Sequence, residues 1–177
     1  LQDSYLSVVE ALRHAGLHNQ RKVKINWIAA EDIEQQGPDQ LLSSACGIII
    51  PGGFGKRGLE GMITAANYAR KSNIPYLGLC LGMQIMVVEY ARNELGITDA
   101  TSLEIDPKAA NPVISFMPGQ KELHSTGGTM RLGVYPCAFK DGTKVRQAYG
   151  REHVEERHRH RYEFNNDYRL QLEEAGL

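Results

Sequence analysis

An α/β fold, a mainly parallel open sheet flanked by helices, is the architecture this sequence predicts. Three observations carry it. Apolar runs ending in turn residues occur at Gly47-Ile48-Ile49-Ile50-Pro51 and Pro75-Tyr76-Leu77-Gly78-Leu79, as in parallel strands covered on both faces. Apolar residues at helical spacing stand before, between and after these runs, from Tyr5 to Leu12, Leu59 to Ala66 and Met83 to Asn93. The resulting strand–helix–strand spacing suits right-handed crossovers between parallel strands.

Taken in order, Tyr5, Val8, Val9 and Leu12 predict an opening amphipathic helix, with Gly16 as its stop. Val23, Ile25 and Trp27 alternate with Lys24 and Asn26, predicting a half-exposed strand near the sheet edge. Glu31 to Ser44 reads as a polar connection containing a short helix. The Ile48 to Ile50 strand, a helix marked by Leu59, Met62, Ile63 and Ala66, and the Pro75 to Leu79 strand follow. The second half is less regular. Pro107, Pro112 and Pro118 punctuate a loop-rich region around a short strand from Val113 to Phe116. Gly127-Gly128 precedes a strand over Thr129 to Gly133, with Met130 and Leu132 on one face. A charged run from Arg151 to Arg161 leads into a last helix, Asn166 to Ala175, closed by Gly176. The length, 177 residues, fits one domain over 1–177.

Composition excludes several function classes. The 20 basic and 21 acidic residues nearly cancel, leaving no global signature of nucleic-acid or acidic-membrane binding. Three cysteines, Cys46, Cys80 and Cys137, form no close pairs. That argues against a disulfide framework or zinc site and fits a reducing cytoplasm. No apolar stretch approaches membrane-spanning length, and no signal-peptide pattern opens the chain. A cytoplasmic protein without membrane or nucleic-acid partners is the expectation.

The chemistry centres on Gly78-Leu79-Cys80-Leu81-Gly82-Met83-Gln84. Glycines two before and two after a nucleophile mark a tight strand-to-helix turn, because a Cβ there would clash where strand and helix approach. Cys80 is thereby placed at a helix N-terminus, whose free N–H groups favour negative charge. The plainer reading is a buried, inert cysteine. Pro51-Gly52-Gly53-Phe54-Gly55 follows the neighbouring strand and should share its carboxyl edge with Cys80, where ligands of open α/β sheets bind. Acyl transfer needs N–H donors aimed at an oxyanion, and the N–H groups of Leu81 and Gly53 are the candidates. By itself Gly-Gly-x-Gly could be a structural turn. No Walker-type Gly-Lys-Ser/Thr supports a phosphate loop.

These motifs resemble the class I glutamine amidotransferase domain of the CTP synthase family. The resemblance is carried by Pro51-Gly-Gly-Phe-Gly55 with Arg57-Gly58, and by Gly82-Met83-Gln84 after Cys80. It extends through Gly127-Gly128-Thr129-Met130-Arg131-Leu132-Gly133 and Glu156-Arg157-His158-Arg159-His160-Arg161-Tyr162-Glu163. It implies a flavodoxin-like three-layer fold and hydrolysis of L-glutamine to glutamate and ammonia. Cys80 is then the nucleophile that forms a γ-glutamyl thioester. Gly53, Leu81, Gly82, Met83 and Gln84 line the glutamine pocket. Glu104 receives the substrate's α-amino group, and Arg161 contacts its amino-acid end. Without the resemblance, Glu104 reads as a surface acid and Gln84 as an exposed helix residue. The resemblance further implies an N-terminal synthetase domain of the same protein, which uses ATP and magnesium to aminate UTP. No cofactor is implied for this domain, and a homo-tetramer is implied for the full-length protein.

The Arg157 to Arg161 cluster could be a nucleic-acid patch, with Tyr162 and Phe164 as stacking partners. Glu152, Glu155, Glu156 and Glu163 cancel most of its field, so a solvated or internally paired polar loop is the better reading of the residues alone. The family completes its triad with a His-Pro-Glu motif, and none occurs here. The six histidines are His14, His18, His124, His153, His158 and His160. His153-Val154-Glu155 imitates the pair in spacing but belongs to the charged run. The expectation is a domain lacking the family's first strand and C-terminal His-Pro-Glu region, and inactive alone. Two alternatives stand beside it: a free-standing cysteine hydrolase acting on γ-glutamyl compounds, and a non-catalytic regulatory domain.

Overall fold

The computed structural model describes residues 2–116 and 131–177. Pro118, His124, Gly127-Gly128 and the Thr129-Met130 part of the expected strand lie outside the described residues. The chain forms two compact units, Leu1–Ser115 with Phe164–Leu177, and Phe116–Glu163. Among the described residues no helix is long and apolar enough to cross a membrane.

The first unit opens with α1 (Leu6–His18), then α2 (Ala30–Gln36) and α3 (Pro38–Leu42). Strand β1 (Ile48–Ile50) follows, then α4 (Leu59–Lys71), β2 (Tyr76–Gly78) and α5 (Leu81–Asn93). Strands β1 and β2 pair in parallel, Ile48 opposite Tyr76 and Ile50 opposite Gly78, with α4 as the crossover. Two short strands, β3 (Thr101–Ser102) and β4 (Pro112–Phe116), also pair in parallel. Helix α7 (Arg169–Ala175) buries Leu172 and ends at Gly176, whose φ of 104° suits a left-handed cap. The core lies in this unit. Ile85 and Ala91 of α5, Ala69 of α4 and Val113 and Ile114 of β4 are essentially inaccessible. Burying an Ile or Val in this way contributes about 1.5–3 kcal/mol each.

Two expectations change here. Residues 21–29 form no strand. Among the described residues nothing offers them a ladder, and Val23 and Trp27 stay 39% and 46% exposed. Alternation alone does not make a strand without a partner and a face to bury. Gly16 does not stop α1, which runs on to His18. A Cβ on Gly16 would come within 2.7 Å of Val23 Cγ2 and 2.8 Å of the Arg21 carbonyl oxygen. Its glycine serves the close return of the chain.

The second unit is a long antiparallel hairpin of β5 (Arg131–Ala138) and β6 (His153–His160). Its register runs from Arg131 opposite His160 to Ala138 opposite His153. The charged run is therefore a strand, not a loop. Arg, His and Glu are indifferent strand formers, but a continuous ladder with β5 overrides that preference. Helix α6 (Lys144–Tyr149) lies in the connection, capped by the Thr143 hydroxyl, which accepts from the Arg146 N–H at 3.3 Å. Six residues give too little periodicity to be seen in the sequence. Ring contacts join Phe139 to Tyr149 and Phe116 to Tyr162, and β7 (Tyr162–Phe164) carries the chain out of the unit.

Candidate active site

Cys80 stands between β2 and α5 with φ 53° and ψ −104°, a conformation that costs a non-glycine residue about 1–3 kcal/mol. The surrounding packing enforces it. A Cβ on Gly78 would fall 2.4 Å from the carbonyl carbon and oxygen of Gly82. A Cβ on Gly82 would fall 2.0 Å from the carbonyl oxygen of Ile50. Both bracketing glycines are thus required by contact between main chains, β2 against α5 and α5 against β1. The thiol itself is exposed and makes no hydrogen bond among the described residues. Cys80 is therefore not a buried cysteine of the core.

The glycine loop after β1 lies against this elbow. A Cβ on Gly52 would sit 3.5 Å from Cys80 Cβ, and one on Gly53 would sit 3.3 Å from Leu81 Cδ2. Among the described residues, neither the Gly53 N–H nor the Leu81 N–H has a backbone acceptor. Two N–H groups without a backbone acceptor beside an exposed thiol are the arrangement that an oxyanion hole requires.

Side chains unremarked in the sequence fix the elbow from behind. The Tyr76 hydroxyl donates to the Gly82 carbonyl at 2.6 Å. Burial, with the Glu89 carboxylate as a second cause, pushes this phenol above its ordinary value, so it stays a donor. On α5, Glu89 is 1% exposed and accepts from Arg70 Nη2 at 2.8 Å and Asn67 Nδ2 at 2.7 Å, both on α4. Asn93 adds a third donor. The Glu89 carboxylate in turn pushes the Arg70 guanidinium above its ordinary value. The signal was a Glu on the apolar side of a helix; its partners were not readable without the fold.

Beside the elbow runs a cleft walled by Leu59, Leu81, Ile85, Val88 and Ile105, with Gln84, Thr101, Ser102 and Glu104 as its polar lining. The structure thus joins three of the sequence candidates: Leu81, Gln84 and Glu104. Gln84 is 7% exposed, not a surface helix residue. Glu104 is half-buried, and among the described residues its carboxylate has no hydrogen bond or ion pair. A half-buried carboxylate without a partner in this cleft is a place where a cationic group of a ligand can bind. Gly82 is buried beneath the elbow and Met83 is half-buried on the next turn. Arg161 belongs to the second unit, between β6 and β7, where it is half-buried. His153 opens β6 and is exposed. Among the described residues no group of three His, Cys, Asp or Glu side chains is placed to hold a metal ion.

All 177 residues match the family model for glutamine amidotransferase class-I. The chain belongs to that family. Among class-I amidotransferases it is 58% identical over its whole length to a CTP synthase of Chloroflexus aurantiacus, covering 32% of that protein. It is 55% identical to a CTP synthase of Shouchella clausii, covering 33% of it. The chain therefore spans about a third of the length of the curated relatives it matches. A solved structure described as the Trypanosoma brucei CTPS glutaminase domain with bound acivicin superposes with a TM-score of 0.89. That match is at 36% identity, over 98% of this chain and 67% of the other. The expected amidotransferase-like α/β fold and the resemblance to CTP synthases both stand.

Proposed function

We propose that this class-I amidotransferase chain is the glutaminase part of a CTP synthase. The observation that carries the reading is one cleft, lined by Leu81 next to an exposed, strained cysteine and by a carboxylate without a partner. In this reading L-glutamine binds with its ammonium group at Glu104 and its carboxamide at Cys80. The Cys80 sulfur attacks the carboxamide carbon, and the Leu81 and Gly53 N–H groups stabilise the oxyanion. Collapse breaks the C–N bond, ammonia leaves with a proton, and a γ-glutamyl thioester remains. Water then releases glutamate and restores the thiol. The reading places Gly82, Met83 and Gln84 in the pocket and Arg161 at the substrate's carboxylate.

The length of the relatives supports a synthetase domain in the same protein, which uses ATP and magnesium to aminate UTP with the released ammonia. This chain's own step uses side chains and backbone alone. Three free cysteines support a reducing cytoplasm as the compartment, and a homo-tetramer is the proposed assembly. The test is Cys80→Ala in the full-length protein. Glutamine-dependent CTP formation should vanish while ammonia-dependent formation persists, because only the ammonia source is removed. Retained glutamine-dependent synthesis, or capture of a glutamine-like electrophile mainly at Cys46 or Cys137, would refute the assignment.

A further inference from the structure

We propose that Ser102 is the positioning residue that aims the Glu104 carboxylate into the cleft. The inference rests on the reading of Glu104 as the anchor of the substrate's ammonium group. Ser102 ends β3 and is 5% exposed. Its hydroxyl oxygen accepts the Glu104 N–H at 3.1 Å, a side-chain turn that fixes the backbone two residues on. The rest of this turn has separate supports. The Ser102 carbonyl accepts the N–H groups of Ile105 and Asp106, each at 2.9 Å, and the Leu103 N–H donates to the Ile114 carbonyl at 3.0 Å. The hydroxyl is therefore dispensable for closing the turn and specific to the residue that carries the carboxylate. Leaving the Glu104 N–H without its acceptor frees that peptide to rotate and swings the carboxylate relative to the cleft. Cys80 and the elbow, on β2 and α5, are supported by none of these bonds.

The experiment compares Ser102→Ala, Glu104→Gln and the double variant in the full-length protein. In Ser102→Ala, KM for glutamine should rise about 10-fold with kcat within about 2-fold, since binding rather than transition-state stabilisation is lost. Ammonia-dependent CTP formation and the alkylation rate of Cys80 by iodoacetamide, which has no amino-acid end to anchor, should stay at the unsubstituted level. In the Glu104→Gln background, Ser102→Ala should add little further change, because the two residues act as one unit. Full additivity of the two effects on KM overturns the proposal, and so does an unchanged KM in Ser102→Ala. A parallel collapse of kcat and of Cys80 alkylation also overturns it, by showing a general structural role. If Glu104→Gln itself leaves KM unchanged, the reading of Glu104 fails, and this inference fails with it.

Discussion

The two compact units hold their polar groups in opposite ways. In the first, Arg70 and Asn67 on α4 reach a Glu89 carboxylate whose side chain is 2% exposed, and the strained Cys80 is held by main chain against main chain. In the second, Arg146 pairs with Asp141 and with Glu152 at 2.7 Å, where the two acids are 87% and 69% exposed. Tyr149 donates to Glu156 in the same watery setting, and that bond pushes its phenol above the ordinary value. Where one atom must be placed for chemistry, the chain relies on contacts that cannot be adjusted. Where a hairpin need only be closed, it relies on ion pairs that water largely screens.

Substitution can break or sharpen this contrast. The largest difference is expected between two glycines. Gly82→Ala drives a Cβ to 2.0 Å from the Ile50 carbonyl oxygen and should cost at least about 3 kcal/mol. Gly150→Ala, at φ 64° with nothing within 4 Å, should cost about 1 kcal/mol for its left-handed backbone alone. Urea unfolding of the two variants measures both, and equal losses would end the contrast. Next come the arginines. Arg70→Ala leaves the buried Glu89 carboxylate to two amides and should cost about 3 kcal/mol. Arg146→Ala should cost under about 1 kcal/mol, falling further in salt. The smallest effect reverses sign. Cys80→Gly relieves the backbone at φ 53° and should raise stability by about 1 kcal/mol, while abolishing the proposed glutamine hydrolysis in the full-length protein. A destabilised Cys80→Gly would show that the elbow is not strained.

The difference between the units also explains what could be read from the residues. Ile48 to Ile50, Leu59 to Ala66 and Pro75 to Asn93 carry apolar patterning strong enough to specify β1, α4, β2 and α5. The bracket of Gly78 and Gly82 locates the strained turn at Cys80, because steric exclusion leaves a direct mark in composition. The charged half of the hairpin was illegible for the opposite reason, whereas the strand expected over Thr129 to Gly133 runs into β5 at Arg131. Arg157, His158 and His160 become a strand through pairing with β5, and pairing partners leave no local mark. Val23 to Trp27 failed by the same rule, showing alternation without a partner. Tyr76 and Glu89 were overlooked because each acts on a residue brought near by folding, and Gly16 was read as a helix stop where it serves a close return of the chain. Ser102 acts locally and had a local signal, its spacing of two from Glu104.

The stacking of Gly78 on Gly82, and of Gly82 on Ile50, has a consequence for how such a domain can drift over generations. The height of the cysteine above the sheet edge is set by the radii of main-chain atoms, which every amino acid shares. Exchanging Ile50 for Val, or Ile85 for Leu, alters the oil beneath the turn without altering its bearing surface. The interior is therefore free to wander in composition at constant reactivity, provided two hydrogen atoms stay where methyl groups would otherwise be.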